Sequence, residues 1–215
     1  MTPNLKKPKV LISVPNTGWI HKIVGIALLR LIQDNRVAAT IIMPSHNPYE
    51  NNLNHIAKDF VNGEYDFWLN IDSDNPPLNN PIDLVFLDLD MVALPTPQCH
   101  IDKNHPGERP YYWVACNRVE GGYKEHQNKS GLQEVDAVGS GCMLISRRVL
   151  LRIKKPFERI YDEDGCVTIG ADFNFCRKVK EAGFKIHVNY NYPCQHFKEV
   201  EMIEMIKAFE GVHRG

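Results

Sequence analysis

Several features that would assign this chain to a class are absent from its sequence. Its 25 basic and 26 acidic residues leave a formal net charge of -1, so no global field directs it to nucleic acid or to an anionic membrane. No apolar run is long enough to cross a bilayer, and the N-terminal residues lack the pattern of a secretory signal. With 43% apolar and 24% charged residues, the composition is that of a soluble globular protein.

Cysteines are few and scattered, and no CxxC pair occurs among them: Cys99, Cys116, Cys142, Cys166, Cys176 and Cys194. Zinc-type spacing is therefore absent, and we expect buried free thiols in a reducing cytoplasm. The 215 residues suffice to bury a sizeable core without disulfides or a structural metal. The expectation is one compact cytoplasmic domain spanning residues 1–215.

The first half of the chain alternates strand and helix patterns. The runs "KVLISV", "VAATIIM" and "DFWLNI" are rich in branched or bulky apolar residues and are typical of strands. Between them, "HKIVGIALLRLIQDN" is apolar on nearly all faces and predicts a buried helix. "PYENNLNHIAKDFVNG" has helical apolar spacing that ends at Gly63. This alternation predicts a parallel, Rossmann-like α/β half over about residues 9–95.

The second half, about residues 96–215, mixes strand patterns, helix patterns and polar loops. "YYWVAC", "CMLISRR" and "FKIHVNY" are strand-like, whereas "DFNFCRKVKEAG" and "EVEMIEMIKAFEG" have helical apolar spacing. These patterns predict a mixed central β-sheet flanked by helices. Residues 99–110 and 121–136 are polar and rich in turn formers, so we expect two loops that close over a ligand.

Two aspartates follow the third predicted strand. Asp72 and Asp74 are separated by Ser73 and followed at once by "NPP". Strand alternation directs both carboxylates to the same side, at the carboxyl end of a parallel strand, where ligands bind in such folds. Two close carboxylates repel unless a cation lies between them, and oxygen ligands select Mg²⁺ or Mn²⁺. The pair is a candidate metal site, with an ordinary surface turn as the alternative.

The order of segments around this pair resembles that of the nucleotide-sugar-dependent glycosyltransferases of the GT-A fold, family 2-like members in particular. "VLISVPNTGWIHK" is similar to their first strand and nucleotide-contacting loop, and "VDAVGSGCMLISRRVL" to the strand behind the donor sugar. "GADFNFCRKVKEAGFKIHVNYNYPCQHF" resembles their acidic helix start, the strand after it and a late histidine. The resemblance runs from about Lys9 to Phe197. It implies a single GT-A domain with a nucleotide-binding half and an acceptor-binding half.

The resemblance also implies roles for individual residues. Asp74 would bind Mn²⁺ or Mg²⁺ directly, Asp72 would hold the ribose or reach the metal through water, and His196 would be a further metal ligand. Such a cation stabilises the diphosphate that departs with the sugar–phosphate bond. Asp172 would be the general base for an acceptor hydroxyl, although the helix dipole alone also favours an aspartate there. Many members have Glu-Asp at this point, whereas this chain has Ala171 before Asp172.

Other candidate contacts of the nucleotide sugar lie next to predicted strand ends: Pro15, Asn16, Thr17, Ser73, Gly139, Ser140 and Gly141. The first three would face a base or ribose, and the same sequence also suits a plain strand-to-helix turn. The two glycines would leave room for the donor sugar, or form a bulge before the next strand.

Alternatives to the glycosyltransferase come from three classes. "LVFLDLDMVALP" resembles the nucleophile motif of haloacid dehalogenase-type phosphatases, with Asp88 and Asp90 as its aspartates. Those enzymes carry the motif on their first strand, whereas two strand–helix units precede it here. A sugar nucleotidyltransferase would need a Gly-rich loop with a basic residue, which "SVPNTGWIHK" does not provide. The third alternative is a non-catalytic sugar-nucleotide-binding domain.

The sequence thus predicts a metal-dependent glycosyltransferase of the hexosyltransferase type. It would move a sugar from a nucleotide-diphosphate sugar, a UDP-sugar as first guess, to an acceptor hydroxyl. The acceptor stays open among a glycan, a lipid-linked intermediate, a protein and a modified nucleic-acid base. The donor sugar, the stereochemical outcome and the oligomeric state also stay open.

Overall fold

Helices alternate with strands in the first third of the chain and become sparse after it. The computed structural model describes residues 6–99, 111–199 and 202–213. The strands are β1 (Lys9–Ser13), β2 (Ala38–Ile42), β3 (Phe67–Ile71), β4 (Met91–Ala93), β5 (Pro97–Cys99), β6 (Tyr111–Trp113), β7 (Ala115–Val119), β8 (Gly122–Glu125), β9 (Leu132–Val135), β10 (Ala137–Val138), β11 (Cys142–Ser146), β12 (Ile160–Tyr161), β13 (Val167–Ile169) and β14 (Ile186–Asn189). The helices are α1 (Lys22–Ile32), α2 (Tyr49–Asn62), α3 (Arg147–Leu150), α4 (Ala171–Glu181) and α5 (Met202–His213), with a 3-10 helix at Pro81–Leu87.

A mixed sheet of seven strands, in the order β2-β1-β3-β11-β4-β14-β9, forms the centre of the described part of the chain. β1 is parallel to β2 and β3, β11 is antiparallel to β3 and β4, and β14 is parallel to β4. β1, β2, β3, β4 and β14 therefore share one direction, and their carboxyl ends form one edge of the sheet. This confirms the predicted mixed α/β sheet, and strands from both predicted halves of the chain contribute to it.

The sheet carries an apolar cluster on each of its two faces. Strand alternation explains this, because Leu11 of β1 belongs to one cluster and its neighbours Val10 and Ile12 to the other. α2 and α4 cover the first face, and α1 with the 3-10 helix covers the second. Each fully buried side chain such as Phe60 or Leu28 contributes about 1.5–3 kcal/mol of transfer free energy to folding.

α1 differs from its prediction as a buried helix. Val24, Leu28 and Leu31 are buried against the sheet. Ile26, Leu29 and Ile32 are 44%, 64% and 48% exposed, because α1 is the outermost layer on its side and no described element covers its outer face. Nor does any helix within the described ranges combine the length and apolar character that a bilayer span requires.

The predicted lid segments also differ from the expectation. Half of residues 121–136 is β-structure: β8 pairs with β7, and β9 pairs with β14 at the edge of the central sheet. Ladder hydrogen bonds thus fix much of a segment predicted to be a loop. Of the other predicted lid, only Cys99 is described, in β5, and residues 100–110 lie outside the described residues.

The cysteines are free thiols, as predicted, but only some are buried. Cys116, Cys142, Cys176 and Cys194 are buried, whereas Cys99 and Cys166 are exposed. Their exposure corrects the expectation of uniformly buried thiols. It follows from their positions in short two-stranded ribbons or turns away from the central sheet.

Candidate active site

The Asp72/Asp74 pair lies at the carboxyl edge of the central sheet, as predicted. β3 ends at Ile71, whose register partner is Cys142 of the antiparallel β11. The amide of Asp72 donates to the carbonyl of Gly141 at 2.8 Å, and the amide of Asn75 donates back to the carbonyl of Asp72 at 3.1 Å. The chain therefore leaves the sheet at Asp72 in a tight turn that is tied to the start of β11.

A buried chain of hydrogen bonds orients the carboxylate of Asp72. Trp68 Nε1 donates to Ser13 Oγ at 2.7 Å, and that hydroxyl donates to Asn70 Oδ1 at 2.9 Å. Asn70 Nδ2 in turn donates to Asp72 Oδ1 at 3.0 Å and to the carbonyl of Ser140 at 2.8 Å. Trp68, Asn70 and Asp72 are two residues apart and so lie on the same face of the strand. The network therefore fixes the Asp72 carboxylate relative to the packed core.

Tyr49, the first residue of α2, provides a second donor to the same carboxylate. Its hydroxyl donates to Asp72 Oδ1 at 2.5 Å and lies 3.1 Å from Ser140 Oγ. Burial beside the Asp72 charge raises the pKa of Tyr49 well above its ordinary value, so the tyrosine stays a donor. Within the described part of the chain, no residue donates to Oδ2 of Asp72, which leaves that oxygen free for a ligand.

The carboxyl group of Asp72 has an unusual proton affinity. Its enclosure by protein raises the pKa of Asp72 to about 7, although the hydrogen bonds from Tyr49 and Asn70 oppose the rise. The negative charges of Asp74 and Asp172 add to it. A carboxyl group that is hard to ionise beside two like charges is a typical feature of functional sites.

The segment after β14 brings His196 next to Asp74. Its backbone lies along the turn after β3: Phe197 N donates to the carbonyl of Asp74 at 3.0 Å, and Gln195 N donates to that of Pro76 at 3.0 Å. The ring of Phe197 also stacks on His21, with centroids 3.7 Å apart. The predicted proximity of the late histidine to the aspartate pair is therefore present in the structure.

A backbone carbonyl fixes the orientation of the His196 imidazole. Nδ1 lies 2.7 Å from the carbonyl oxygen of Pro97, and since that oxygen only accepts, Nδ1 carries the proton. Nε2 faces Asp74 Oδ2 at 3.6 Å. With the proton on Nδ1, Nε2 bears a lone pair that faces the carboxylate of Asp74. A backbone acceptor on the far nitrogen is the usual support of a metal-binding histidine.

Lys198 is the counter-charge of Asp74 in this structure. Its Nζ lies 2.7 Å from Asp74 Oδ2. Burial acts to raise the pKa of Asp74, but His196 and Lys198 outweigh it and hold that pKa below its usual value. Within the described ranges, no group of three or more His, Cys, Asp or Glu side chains has the spacing of a metal site. Metal binding by Asp72, Asp74 and His196 therefore stays a prediction.

Asp172 lies in the first turn of α4, near the same edge. Its Oδ1 accepts from the amide of Phe173 at 2.9 Å, and its Oδ2 lies 3.9 Å from the position that a Cβ on Gly139 would take. Burial raises the pKa of Asp172 above its ordinary value. The charge of Asp172 in turn contributes to the raised pKa of both Asp72 and Tyr49, so these groups belong to one electrostatic cluster.

The glycines before β11 are required by packing within the protein. A Cβ on Gly141 would lie 3.0 Å from both Asn75 Oδ1 and Thr96 Oγ1, and one on Gly139 would lie 3.1 Å from Val114 Cγ1. The absent side chains therefore make room for neighbouring protein atoms. The same glycines let the backbone of residues 139–141 approach Asp72, which keeps them candidates for contact with a donor sugar.

The predicted nucleotide-contacting loop after β1 is close to the site, but its residues differ in availability. Asn16 is engaged in the loop itself: its Nδ2 donates to the carbonyl of Val14 at 3.1 Å, and its Oδ1 accepts from Gly18 N at 2.9 Å. Pro15 is buried and Thr17 is exposed. The carbonyl of Ser73 accepts from His21 N at 2.7 Å and thereby joins this loop to the aspartate turn. Their contact with a nucleotide stays a prediction.

The aspartates of the phosphatase alternative lie at the opposite edge. Asp88 and Asp90 directly precede β4, which runs parallel to β3, so they lie at its amino end and not its carboxyl end. Both carboxylates bind Arg148, at 2.9 Å and 2.7 Å. An arginine across both groups at a surface position gives them a structural role and offers a phosphate ester no nucleophile.

Three site residues were missed by sequence reasoning: Tyr49, Asn70 and Lys198. Asn70 carries a detectable signal, since a polar residue at an inward position of an apolar strand requires a buried partner. Lys198 follows His196 by two residues, the spacing that places both on one side of an extended segment. Tyr49 gives no signal, because its contact with Asp72 depends on how α2 packs against the sheet.

Comparisons with known proteins bear on the fold. No protein-family model matches the chain, and no curated protein matches it. Among solved structures, A197 from STIV superimposes with a TM-score of 0.55 at 18% identity, covering 89% of this chain and 86% of that one.

A second solved structure is GalNAc-T7 with UDP, GalNAc and Mn²⁺. It matches with a TM-score of 0.52 at 11% identity, covering 97% of this chain, and this chain spans about half of it, 48%. At such identities the likeness concerns the fold alone. Together with the central mixed sheet and its flanking helices, it shows that the chain has a fold of the GT-A glycosyltransferase type.

Proposed function

We propose that this protein is a glycosyltransferase that uses a nucleotide-diphosphate sugar. The observation that supports it most is the meeting, at the carboxyl edge of a GT-A-type sheet, of the Asp72/Asp74 turn with His196 from the C-terminal segment. These residues are more than 120 positions apart in sequence, and Phe197 N is hydrogen-bonded to the aspartate turn itself. A surface turn of ordinary type has no reason to recruit a buried histidine in this orientation.

Mn²⁺ or Mg²⁺ fits the donor set of the proposed site. Asp74 and His196 would bind the ion, and Asp72 would support it through water or bind the ribose through Oδ2. Two protein ligands are sufficient for cations of this kind, which retain waters and take further oxygens from substrate phosphates. When bound, the ion supplies neutralisation of the charge that develops on the departing diphosphate. The ion would replace the Lys198 ammonium as the counter-charge of Asp74.

The chain's own residues supply the remaining steps. The Trp68–Ser13–Asn70 network and Tyr49 hold Asp72 in one orientation, so that its free oxygen can accept from a donor hydroxyl. Asp172 would take the proton of the acceptor hydroxyl on its Oδ2 as the oxygen attacks the sugar carbon. Its raised pKa suits that task, because a base whose proton affinity is closer to the working pH transfers a proton more readily.

The donor and acceptor are proposed at different levels of detail. A UDP-sugar remains the first choice of donor, supported by the fold shared with GalNAc-T7, whose structure contains UDP, GalNAc and Mn²⁺. The acceptor remains open among a glycan, a lipid-linked intermediate, a protein and a modified nucleic-acid base. Cytoplasmic residence and a single-domain organisation also stay predictions.

Ligand-induced stabilisation tests the proposal directly. The melting temperature would be measured with UDP-, GDP- and dTDP-sugars, each with and without Mn²⁺. At a ligand concentration of about 100 times Kd, a native-state ligand adds about 2.7 kcal/mol, which is a rise of roughly 5–10 °C for a chain of this size. We expect such a rise for one nucleotide class, in the presence of Mn²⁺ only.

Two substitutions separate the proposed site from the alternatives. Asp74→Asn should remove the Mn²⁺-dependent rise while the unliganded melting curve stays cooperative. Asp88→Asn is the matched control at the opposite edge and should keep the full rise. If Asp74→Asn retains the Mn²⁺-dependent rise, or if Asp88→Asn abolishes it, the assignment of the site is wrong.

A further inference from the structure

The C-terminal helix α5 presents an apolar face that no described part of its own chain covers. Met202, Ile206 and Phe209 are 65%, 52% and 43% exposed. Their spacing places them along one side of the helix. A helix of 12 residues is marginal in water without packing of such a face, so α5 requires a partner surface.

A groove with an apolar lining lies on the side of the sheet that α2 covers. It has a volume of about 530 Å³ and lies between the outer side of α2 and the segment that follows α3. Six apolar residues line it: Ala57, Val61, Leu150, Leu151, Ile153 and Pro156. Leu151 is 58% exposed, whereas Ala57, Leu150 and Ile153 are buried beneath it.

Lysines surround this groove. Lys58, Lys154 and Lys155 all line it and are exposed. The one acidic residue in the lining, Glu158, pairs with Lys178 and also attracts Lys155. Three lysines against one glutamate leave the rim of the groove with a net positive charge.

The helix and the groove match in length and in charge. On α2 the groove runs from Asn54 to Val61, and the apolar face of α5 runs from Met202 to Phe209, so each spans about 10 Å at 1.5 Å per residue. Residues 199–210 contain four glutamates and one lysine. An acidic amphipathic helix facing a lysine-rimmed apolar groove is a common form of helix recognition.

The segment that leads to α5 packs on the opposite face of the sheet from the groove. Tyr192 and Cys194, which lead towards α5, pack on the face of the sheet covered by α1, whereas Ala57, Leu150 and Ile153 belong to the cluster on the other face. Lys198 is held at Asp74, and residues 199–201 span at most about 10 Å. The lining of the groove contains no residue of α5, so α5 of the same chain does not fill it in this structure.

We propose that the chain forms a homodimer in which α5 of one copy occupies the α2/α3 groove of the other. Glu199 before α5 and Glu210 within it then face the lysines of the groove, and the apolar face of α5 covers Leu151. Sedimentation velocity of the full-length protein over a concentration series should show a monomer–dimer equilibrium.

Charge reversal and complementation test the interface. Lys154→Glu with Lys155→Glu should raise the dimer dissociation constant at least about tenfold, and adding Glu199→Lys with Glu210→Lys should restore dimerisation. Ile206→Asp with Phe209→Asp should abolish it. A mixture of the groove variant and the helix variant should form heterodimers, because one helix–groove contact remains intact.

Controls on other surfaces make the result decisive. Lys124→Glu changes an exposed lysine away from the groove, and Leu29→Asp changes the most exposed apolar residue of α1; both should leave the dissociation constant unchanged. All substituted positions are exposed, and circular dichroism would verify that each variant folds. A protein that stays monomeric at all concentrations, a dimer lost in Leu29→Asp, or a mixture without heterodimers would each overturn the proposal.

Discussion

At the scale of single residues, the pKa of each carboxylate in the site depends on its burial and on the hydrogen-bond donors and positive charges that face it. Asp74 keeps a lowered pKa because Lys198 and His196 face it, whereas burial raises the pKa of Asp72 and Asp172. The three aspartates are identical in sequence terms, so this division became visible only with the packing of Tyr49 and the C-terminal segment. Their positions beside strand and helix ends, in contrast, were predictable from the sequence.

Replacement of Asp172 separates donor binding from transfer. Asp172→Asn keeps the volume and the hydrogen bond from Phe173 N, but it removes the ability to take a proton. We expect an unchanged thermal shift with donor and Mn²⁺, and a loss of about 10²–10⁴-fold in transfer rate, the range typical of general-base removal. The rates would be measured by product formation once an acceptor is known. Transfer at the original rate would exclude Asp172 as the base.

The raised pKa of Asp72 predicts that ionisation of this residue lowers the free energy of unfolding of the metal-free protein, and that the loss grows with pH. In the unfolded chain the pKa of this carboxyl has its ordinary value of 3.8, whereas in the folded protein its pKa is about 7. The folded state therefore binds the Asp72 proton more tightly than the unfolded state does. The stability that this proton contributes to the folded protein is fully present below pH 3.8 and is lost as the pH rises towards and through 7. Asp72→Asn removes this dependence.

The measurement for Asp72 is urea unfolding in the presence of EDTA at pH 5 and at pH 8. The free energy of unfolding of Asp72→Asn minus that of the wild-type protein should be about 2 kcal/mol larger at pH 8 than at pH 5. Asp59→Asn, an exposed aspartate on α2, is the control and should show no such gain. An Asp72→Asn variant that loses stability equally at both pH values would show that Asp72 is ionised in the folded protein at pH 5.

At the scale of elements, hydrophobic periodicity predicted the central strands and the two helices that cover one face of the sheet well. β1, β2, β3, α2 and α4 lie where the sequence placed them, because their patterns are set by burial against a sheet. Residues 121–136 were predicted as a loop, since the short strands β8 and β9 carry polar residues and depend on pairing with distant strands for their existence. Local sequence contains no information about such partners.

Arg147 joins two elements and is expected to be a main determinant of stability. From the start of α3 its guanidinium donates to the carbonyls of Phe60, Val61, Gly63 and Tyr65, at 2.7–3.1 Å. It thereby satisfies the carbonyls that the C-terminus of α2 leaves open, where a positive charge is also favourable. Arg147→Met should lower the free energy of unfolding by about 2–4 kcal/mol.

The neighbouring Arg148 is a matched control for that substitution. It is exposed and pairs with Asp88 and Asp90 at the surface, so Arg148→Met should cost less than about 1 kcal/mol. Both variants would be compared by urea unfolding, with the slope m checked for constancy. Equal losses for the two arginines would contradict the capping role of Arg147.

At the scale of the whole molecule, the order of segments predicted more than any single motif did. The DxD pair alone suits a surface turn, and a late histidine alone is one of nine. The order of three features is more informative: an aspartate pair at a strand end, a strand with small residues and a late histidine. This order implies that the three segments meet at one edge of a sheet, and the structure brings them together there. The sequence did not indicate that α1 and α5 would expose apolar faces, because exposure depends on which surfaces the rest of the molecule leaves uncovered.

The whole fold is expected to form without the proposed metal ion. The two apolar clusters lie within the layers on either side of the sheet, and the site carboxylates already have protein donors in Tyr49, Asn70 and Lys198. Dialysis against EDTA should therefore leave the unliganded melting temperature within about 1 °C of its original value, since about 0.3 kcal/mol corresponds to that shift. The stabilisation by donor should vanish and return with Mn²⁺. A large drop in the unliganded melting temperature on chelation would instead mean that the ion is structural, because its binding free energy would then be part of the free energy of folding.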